Sequence, residues 1–381
     1  MARADATELI LRRLAAAGPA SRTALARGLG LADSTVSTVV AGLMAEGTLV
    51  QADADTETAV RAGRPALDLR LTRATGLAVG IDLGKSHARV AVADLAHAVL
   101  AERAAPVVPG SSAQEQIARV VGLVDTALAD ADAGRDDVVS VAMGLPGPVD
   151  RARDSLGDST VLPGWRGVPA RAAMAAALGL DVHIENDANL GALGEWTRGH
   201  GTTDAVLYVK IATGVGAGLI VDGELFTGAR GTAGELGHTV VDPQGLPCTC
   251  GNRGCLETVA GAGAVLRRLG LVEDGGLEEV LGRLEDPAVA SVLDEVGRAI
   301  GGVLGSVCNL LDPGVVIVGG TLAGVGEPLL GPLREALAAG AIARDAVPVV
   351  EGVLGERAEV LGALAYALRR ALPRRAASTR P

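Results

Sequence analysis

At 381 residues the chain is too long for one ordinary hydrophobic core and suits two or three domains. An apolar fraction of 49% against 21% charged residues marks a globular chain and excludes general disorder. The five aromatic residues, Trp165, Trp196, Tyr208, Phe226 and Tyr366, are too few for the stacking platforms of a single-stranded nucleic-acid binder. Arg and Ala abound while Lys85 and Lys210 are the only lysines, which reads as a codon-composition bias without structural content. The net charge of −11 is unevenly placed: residues 1–75 hold nine Arg against eight acids, so this head carries +1. A head of that charge on an acidic body is compatible with DNA contact through the head alone.

Leu9, Ile10, Leu11 and Leu14 fall at helical spacing in a segment that ends at Gly18-Pro19. Ser21 can cap a second helix, Arg22 to Arg27, closed by Gly28-Leu29-Gly30. Asp33 or Ser34 can cap a third, with Val36, Val39, Val40, Leu43 and Met44 on one face and Ser34, Thr35, Ser37 and Thr38 on the other. Three short helices with a tight Gly-containing turn before the last fit a helix-turn-helix whose third helix reads DNA. Two extended segments, Thr48–Ala52 and Leu67–Leu71, then flank a polar loop and read as a wing. Within the loop Arg61-Ala62-Gly63-Arg64-Pro65 holds an Arg extended, as entry into a narrow minor groove requires. Arg22, Ser34, Thr35, Ser37, Thr38 and Arg64 are the expected DNA contacts; the alternative is a three-helix bundle with a surface hairpin that contacts another protein.

From Leu77 strands and helices alternate. Leu77–Ile81 and Ala88–Ala93 are joined by Asp82-Leu83-Gly84-Lys85-Ser86. Ala205–Ile211 and Leu219–Val221 are joined by Thr213-Gly214-Val215-Gly216-Ala217-Gly218. Two such openings in one chain suggest a duplicated lobe, and a Gly-rich turn lets backbone N–H groups approach a phosphate. No targeting segment is expected, since Asp5, Glu8, Arg12 and Arg13 interrupt any apolar signal core. The longest greasy stretch, Ala299 to Gly326, is broken by Asn309, Asp312 and Pro313 and reads as a helix then a strand, with no membrane span. A cytoplasmic protein is expected.

Three further segments carry a resemblance. Val141-Ala142-Met143-Gly144-Leu145-Pro146-Gly147-Pro148-Val149-Asp150 ends a strand in a tight loop, and Glu185-Asn186-Asp187-Ala188-Asn189 ends another and opens a helix. Gly234-Glu235-Leu236-Gly237-His238 is followed by Cys248-Thr249-Cys250-Gly251-Asn252-Arg253-Gly254-Cys255-Leu256-Glu257. With these the chain resembles the ROK family of bacterial sugar kinases and sugar-linked repressors. The match runs over residues 77–370, and the family's repressors carry an extra winged helix-turn-helix before that part. The resemblance implies an α/β fold with a winged helix-turn-helix over 1–75, an actin-like ATPase body with lobes 76–190 and 191–372, and a flexible tail, 373–381.

His238, Cys248, Cys250 and Cys255 supply one imidazole and three thiolates, the set a closed tetrahedral zinc prefers. A disulfide would leave one Cys unpaired and does not suit a reducing compartment; Cys308 on an apolar helix reads as core. The resemblance makes the zinc structural, within the loop 238–257, where it fixes His238 and Glu257. Asn186, Asp187, Glu235, His238 and Glu257 would line a cleft with groups that satisfy sugar hydroxyls, and Gly147 resembles a further sugar contact. In the family's kinases the residue matching Asp187 is the general base; read alone, Asp187 suits a helix cap.

On the nucleotide side the resemblance places Asp82, Gly84 and Ser86 at a first phosphate turn, Thr213, Gly214 and Gly216 at a second, and Gly319 and Gly320 on the adenosine side. The first turn departs from the kinases' Asp-x-Gly-Gly-Thr in carrying Lys85, which could meet phosphate as a point charge, so ATP and Mg stay open. The reading is a sugar-sensing transcriptional regulator, a repressor before an activator, that binds duplex operator DNA and a sugar or sugar phosphate as a homodimer or homotetramer. The rival is an ATP-dependent sugar kinase of glucokinase or N-acetylhexosamine kinase type with Asp187 as base.

Overall fold

The computed structural model describes residues 3–52, 68–150, 155–156, 161–199, 203, 205–271, 276–342 and 347–371. Two compact units divide the chain: one drawn from 1–143, 171–183 and 363–381, the other from 144–170 and 184–362.

The first unit opens with α1 (Arg3–Ala17), α2 (Arg22–Leu29) and α3 (Asp33–Ala45), followed by the antiparallel pair β1 (Leu49–Ala52) and β2 (Asp68–Leu71). Ser21 caps α2 as expected, its hydroxyl accepting the Ala24 N–H at 3.2 Å. Gly30 ends that helix at φ 63°, the left-handed conformation glycine adopts without strain. The cap of α3 differs from the expectation. The extended residue before the helix is Ala32, which brings no capping side chain, and Asp33 sits inside the first turn. The turn after Gly30 sets the start, and the Asp33 carboxylate faces the positive helix end. Ile10, Leu11, Leu14, Leu25, Val36, Val39, Val40, Leu43, Leu49, Leu69 and Leu71 are all buried and form the core of this head. The loop with Arg61 and Arg64 lies outside the described residues.

Three polar contacts brace the head within this unit. Thr72 Oγ1 donates to the Gly47 carbonyl at 2.8 Å. The Arg73 guanidinium donates to the carbonyls of Ala131 and Asp132. His97, held at φ 71°, sets its Nε2 2.7 Å from the Ala15 carbonyl at the end of α1.

Next come β3 (Leu77–Leu83), β4 (His87–Asp94), β5 (Val99–Pro106), α4 (Ala113–Asp130), β6 (Val138–Leu145), the short ribbon β7 (Val149–Asp150) and β8 (Ser155–Leu156), α5 (Ala170–Leu178) and β9 (Val182–Asn186). The first five-stranded sheet runs β5-β4-β3-β6-β9. Every residue of β3 is buried, which accounts for its unbroken apolar run. Asp82 and Leu83 belong to that strand, so the first turn is shorter than the sequence suggested.

The second unit holds α6 (Asp187–Arg198), β10 (Val206–Ile211), β11 (Val215–Val221), β12 (Glu224–Phe226), α7 (Leu256–Ala260), α8 (Ala262–Arg268), α9 (Gly276–Leu281), α10 (Pro287–Leu311), β13 (Val315–Gly319), α11 (Glu327–Gly340), β14 (Val349–Glu351) and the start of α12 (Ala358–Arg370). Its sheet runs β12-β11-β10-β13-β14. Ranked along the chain, both sheets have the order third, second, first, fourth, fifth, which is the duplication the two openings implied. The second turn is also tighter than expected, with Val215 to Gly218 lying in β11, paired with β10. The greasy stretch resolves into the end of α10 and β13, and no helix among the described residues is long and apolar enough to cross a membrane.

Helices α10 and α11 pack closely because Gly297, Gly301 and Gly305 recur every fourth residue. A Cβ on Gly297 would meet the Leu329 carbonyl at 2.5 Å, one on Gly301 would overlap that of Leu333, and one on Gly305 would lie 3.0 Å from Gly340.

Candidate functional site

The junction of β9 and α6 presents the polar residues. Asn186 is the N-cap of α6: its Oδ1 accepts the Asn189 N–H at 3.1 Å while its Nδ2 donates to the Gly147 carbonyl at 3.0 Å. Gly147 lies at φ 105°, which a Cβ would strain, so this amide pins the loop after β6. Behind it the buried Glu185 accepts from the Asn186 N–H and the Asn189 side chain, both at 3.0 Å. Because Asn186 takes the capping role, Asp187 is not needed for it.

Asp187 instead meets a cation. Its Oδ1 accepts the Ala188 N–H at 2.8 Å and its Oδ2 lies 2.8 Å from Lys210 Nζ on β10. The same ammonium stands 3.1 Å from Glu359 Oε1 at the start of α12, and the Tyr208 hydroxyl donates to that oxygen at 3.4 Å. Tyr208 is fully buried, and burial, then the charges of Glu359, Glu195 and Asp187, push its phenol well above the ordinary range. Glu195, on α6 and 1% exposed, accepts from the Val353 N–H at 3.1 Å and the Leu354 N–H at 2.9 Å, one on each oxygen. Cβ atoms on Gly352 or Gly199 would come within 2.6 Å of that carboxyl, so glycine makes room for it on both sides.

A second group gathers on the loop after β12. The donor atoms of His238, Cys248, Cys250 and Cys255 all lie within 4.8 Å of one another and could hold a metal ion. Cys250 and Cys255 Sγ are 3.6 Å apart, and Cys248 Sγ is 3.5 Å from His238 Nδ1. Burial pushes the Cys248 thiol up to about 12 and raises Cys255, whereas a hydrogen bond from the Asn252 backbone lowers Cys250. Crowded thiols of this kind ionise together only beside a cation. The other imidazole nitrogen, Nε2, faces Glu235 Oε2 at 3.7 Å, and Glu257 Oε1 receives the Cys248 thiol at 2.9 Å. Burial holds Glu235 above the usual carboxylate range; His238 opposes this, and Asp187 and Glu257 add to it. The structure thus brings Glu235, His238 and Glu257 onto the metal-type loop, with the Asp187 charge felt there.

The expected phosphate-turn residues behave differently. Asp82 is 1% exposed, and its Oδ2 meets His87 Nε2 at 2.9 Å and Arg89 at 3.9 Å. The His87 ring lies over Gly84, where a Cβ would overlap it. In the second unit a Cβ on Gly216 would press on Ala188, one on Gly319 on Tyr208 and one on Gly320 on the backbone of Ile211. Packing alone accounts for these three glycines. Gly214 faces Glu257 Oε2, 3.1 Å from its would-be Cβ. Sequence reasoning missed Lys210, Glu359, Glu195 and His87.

The ROK family model matches residues 78–370, and the chain belongs to the ROK family. Among its curated relatives, the xylose repressor of Bacillus subtilis is 26% identical over 363 residues, 93% of this chain and 92% of that protein. The glucokinase of Thermotoga maritima is 32% identical over 279 residues, covering 68% of this chain and 86% of its own length. Among solved structures, a ROK family transcriptional regulator homologous to the E. coli MLC protein superposes with a TM-score of 0.74, covering 97% of this chain at 24% identity. The repressor alignment thus spans most of this chain, whereas the glucokinase alignment takes in about two thirds of it.

Proposed function

We propose that this chain is a cytoplasmic, sugar-responsive repressor of sugar-metabolism genes that binds duplex operator DNA. The observation that carries the reading is the head itself: a trihelical core with an antiparallel wing, fused to a ROK body. Ser34, Ser37 and Thr38 are exposed on α3 and Thr35 half-buried, so this face is available to bases and phosphates. Arg22 is exposed at the start of α2, where it can meet the backbone, and Arg64 would enter the minor groove. Paired half-sites call for a homodimer or homotetramer.

Asp187, Glu235, His238 and Glu257 would receive sugar hydroxyls, with Asn186 holding the Gly147 loop in place. One imidazole and three thiolates with S–S and S–N spacings near 3.5 Å suit zinc, since ~2.3 Å Zn–S bonds at tetrahedral angles give about 3.8 Å. Zinc there would order the loop and hold His238 through Nδ1 so that Nε2 meets Glu235.

The kinase reading draws on the likeness to glucokinase and on Asp187. The first phosphate turn favours it less, because His87 and Arg89 already engage the Asp82 carboxylate that would hold the metal and the imidazole lies over Gly84. Gel shift of the full chain on its own upstream region, with and without D-xylose or D-glucose, tests the proposal. Sugar-dependent release is expected; retention of DNA at every sugar concentration, or no binding at all, overturns it.

A further inference from the structure

Lysine is nearly absent from this chain, with 34 basic residues of which two are lysines. One of the two, Lys210, stands among acids. Its ammonium lies between two carboxylates, 2.8 Å from Asp187 and 3.1 Å from Glu359, with the three side chains only 14%, 14% and 6% exposed. A guanidinium is planar and bulky and meets carboxylates as a fork, whereas an ammonium is a compact point charge that fits between two acids. The floor beneath is the fully buried ring of Tyr208, against which Gly191 and Gly319 already press.

We propose that Lys210 is a positioning residue for the sugar site, holding Asp187 as a hydrogen-bond acceptor and withholding it as a base. The inference rests on the sugar reading above and deepens it. Phosphoryl transfer to a sugar hydroxyl needs a carboxylate oxygen that takes the hydroxyl proton as the new O–P bond forms and the nucleotide's bridging bond breaks. Here Asp187 Oδ1 is directed at the Ala188 N–H and Oδ2 at the Lys210 ammonium. A sugar hydroxyl can share such a carboxylate as a further donor, and its proton stays on the sugar. Lys210 therefore makes the pocket one that reads a sugar without modifying it.

The test is a double-mutant cycle in the full chain, read by calorimetric titration with D-xylose and D-glucose. Lys210→Met should weaken binding of the recognised sugar by about tenfold or more, the size expected when a charge-assisted contact is lost. In an Asp187→Asn background the same change should alter affinity by less than about twofold, since Lys210 acts through Asp187. Lys210→Met leaves two carboxylates facing each other, so Lys210→Met with Glu359→Gln provides a charge-balanced variant that should fold and show the same loss.

Equal losses in both backgrounds would assign Lys210 to the scaffold and overturn the proposal while the sugar reading stands. So would native affinity in Asp187→Asn, or sugar phosphate made from Mg-ATP by the native chain and lost in Asp187→Asn. A native chain that binds neither sugar overturns the sugar reading and this proposal together.

Discussion

Replacing Glu195 by Gln isolates one buried carboxyl whose two oxygens hold the segment before α12. The substitution keeps the shape, so no cavity forms. One amide oxygen can still accept from Val353 or Leu354, but the amide nitrogen turns a donor towards the other backbone N–H. A hydrogen bond to a charged acceptor contributes ~1.5–3 kcal/mol, and a buried donor left unpaired costs about 1–3 kcal/mol. With Glu195 at 1% exposure, water cannot stand in, and the expected loss is roughly 2–4 kcal/mol. For a cooperative unit of roughly 200 residues this lowers Tm by about 4–16 °C. Urea unfolding followed by circular dichroism gives the free energy, and an unchanged m-value shows that the exposed surface is the same. Glu279→Gln serves as the control, since its partner Arg283 is a surface ion pair and the change should stay within about 0.5 kcal/mol. A loss below about 1 kcal/mol for Glu195→Gln would refute the argument. It would mean that the two N–H groups find acceptors elsewhere.

Purified protein should hold about one zinc per chain by elemental analysis, and Cys250→Ser should lose it together with sugar binding; Cys250 is exposed, so lost packing cannot explain that result. DNA binding should fall steeply with salt, the log–log slope changing by ~0.9 for each phosphate contact, and Arg64→Ala should weaken binding most on sites with an A·T-rich flank. Gly301→Ala should destabilise by about 1–3 kcal/mol in urea titration, although alanine favours a helix by ~1 kcal/mol. The new methyl would overlap the Leu333 carbonyl and approach Ala336 Cβ at 2.8 Å, so a stabilised variant would show that α10 and α11 can separate without cost.

The parts of the fold that were legible in the sequence share a cause: they rest on local chemistry. The Ser21 cap, the Gly30 stop and the burial of Val36, Val39, Val40 and Leu43 follow from period and turn residues. The cluster of His238 with three cysteines is legible because its donors sit close together in the chain. Lys210, Glu195 and Glu359 were not legible. Lys210 meets partners 23 and 149 residues away, and strand alternation alone gives a lysine on β10 no partner. The glycines after Thr213 point the other way: the sequence suggests a phosphate cradle, while the close approach of α6 to β11 already requires small residues at Gly216 and Gly218.

The contacts that hold the head have a consequence for chimaeras. Helix-turn-helix modules are commonly treated as exchangeable parts, cut at the linker and grafted onto a new effector domain. Here His97 anchors on the Ala15 carbonyl with its ring against Gly18, and Arg73 reaches the carbonyls that end α4. A cut after β2 severs the His97 contact while Arg73 stays on the body beside its carbonyl partners, and a recipient body would need a residue able to take the left-handed bend of His97 in the matching place. Grafts made on this chain should therefore rebuild the His97 turn in the recipient body, so that the head keeps the grip it has here.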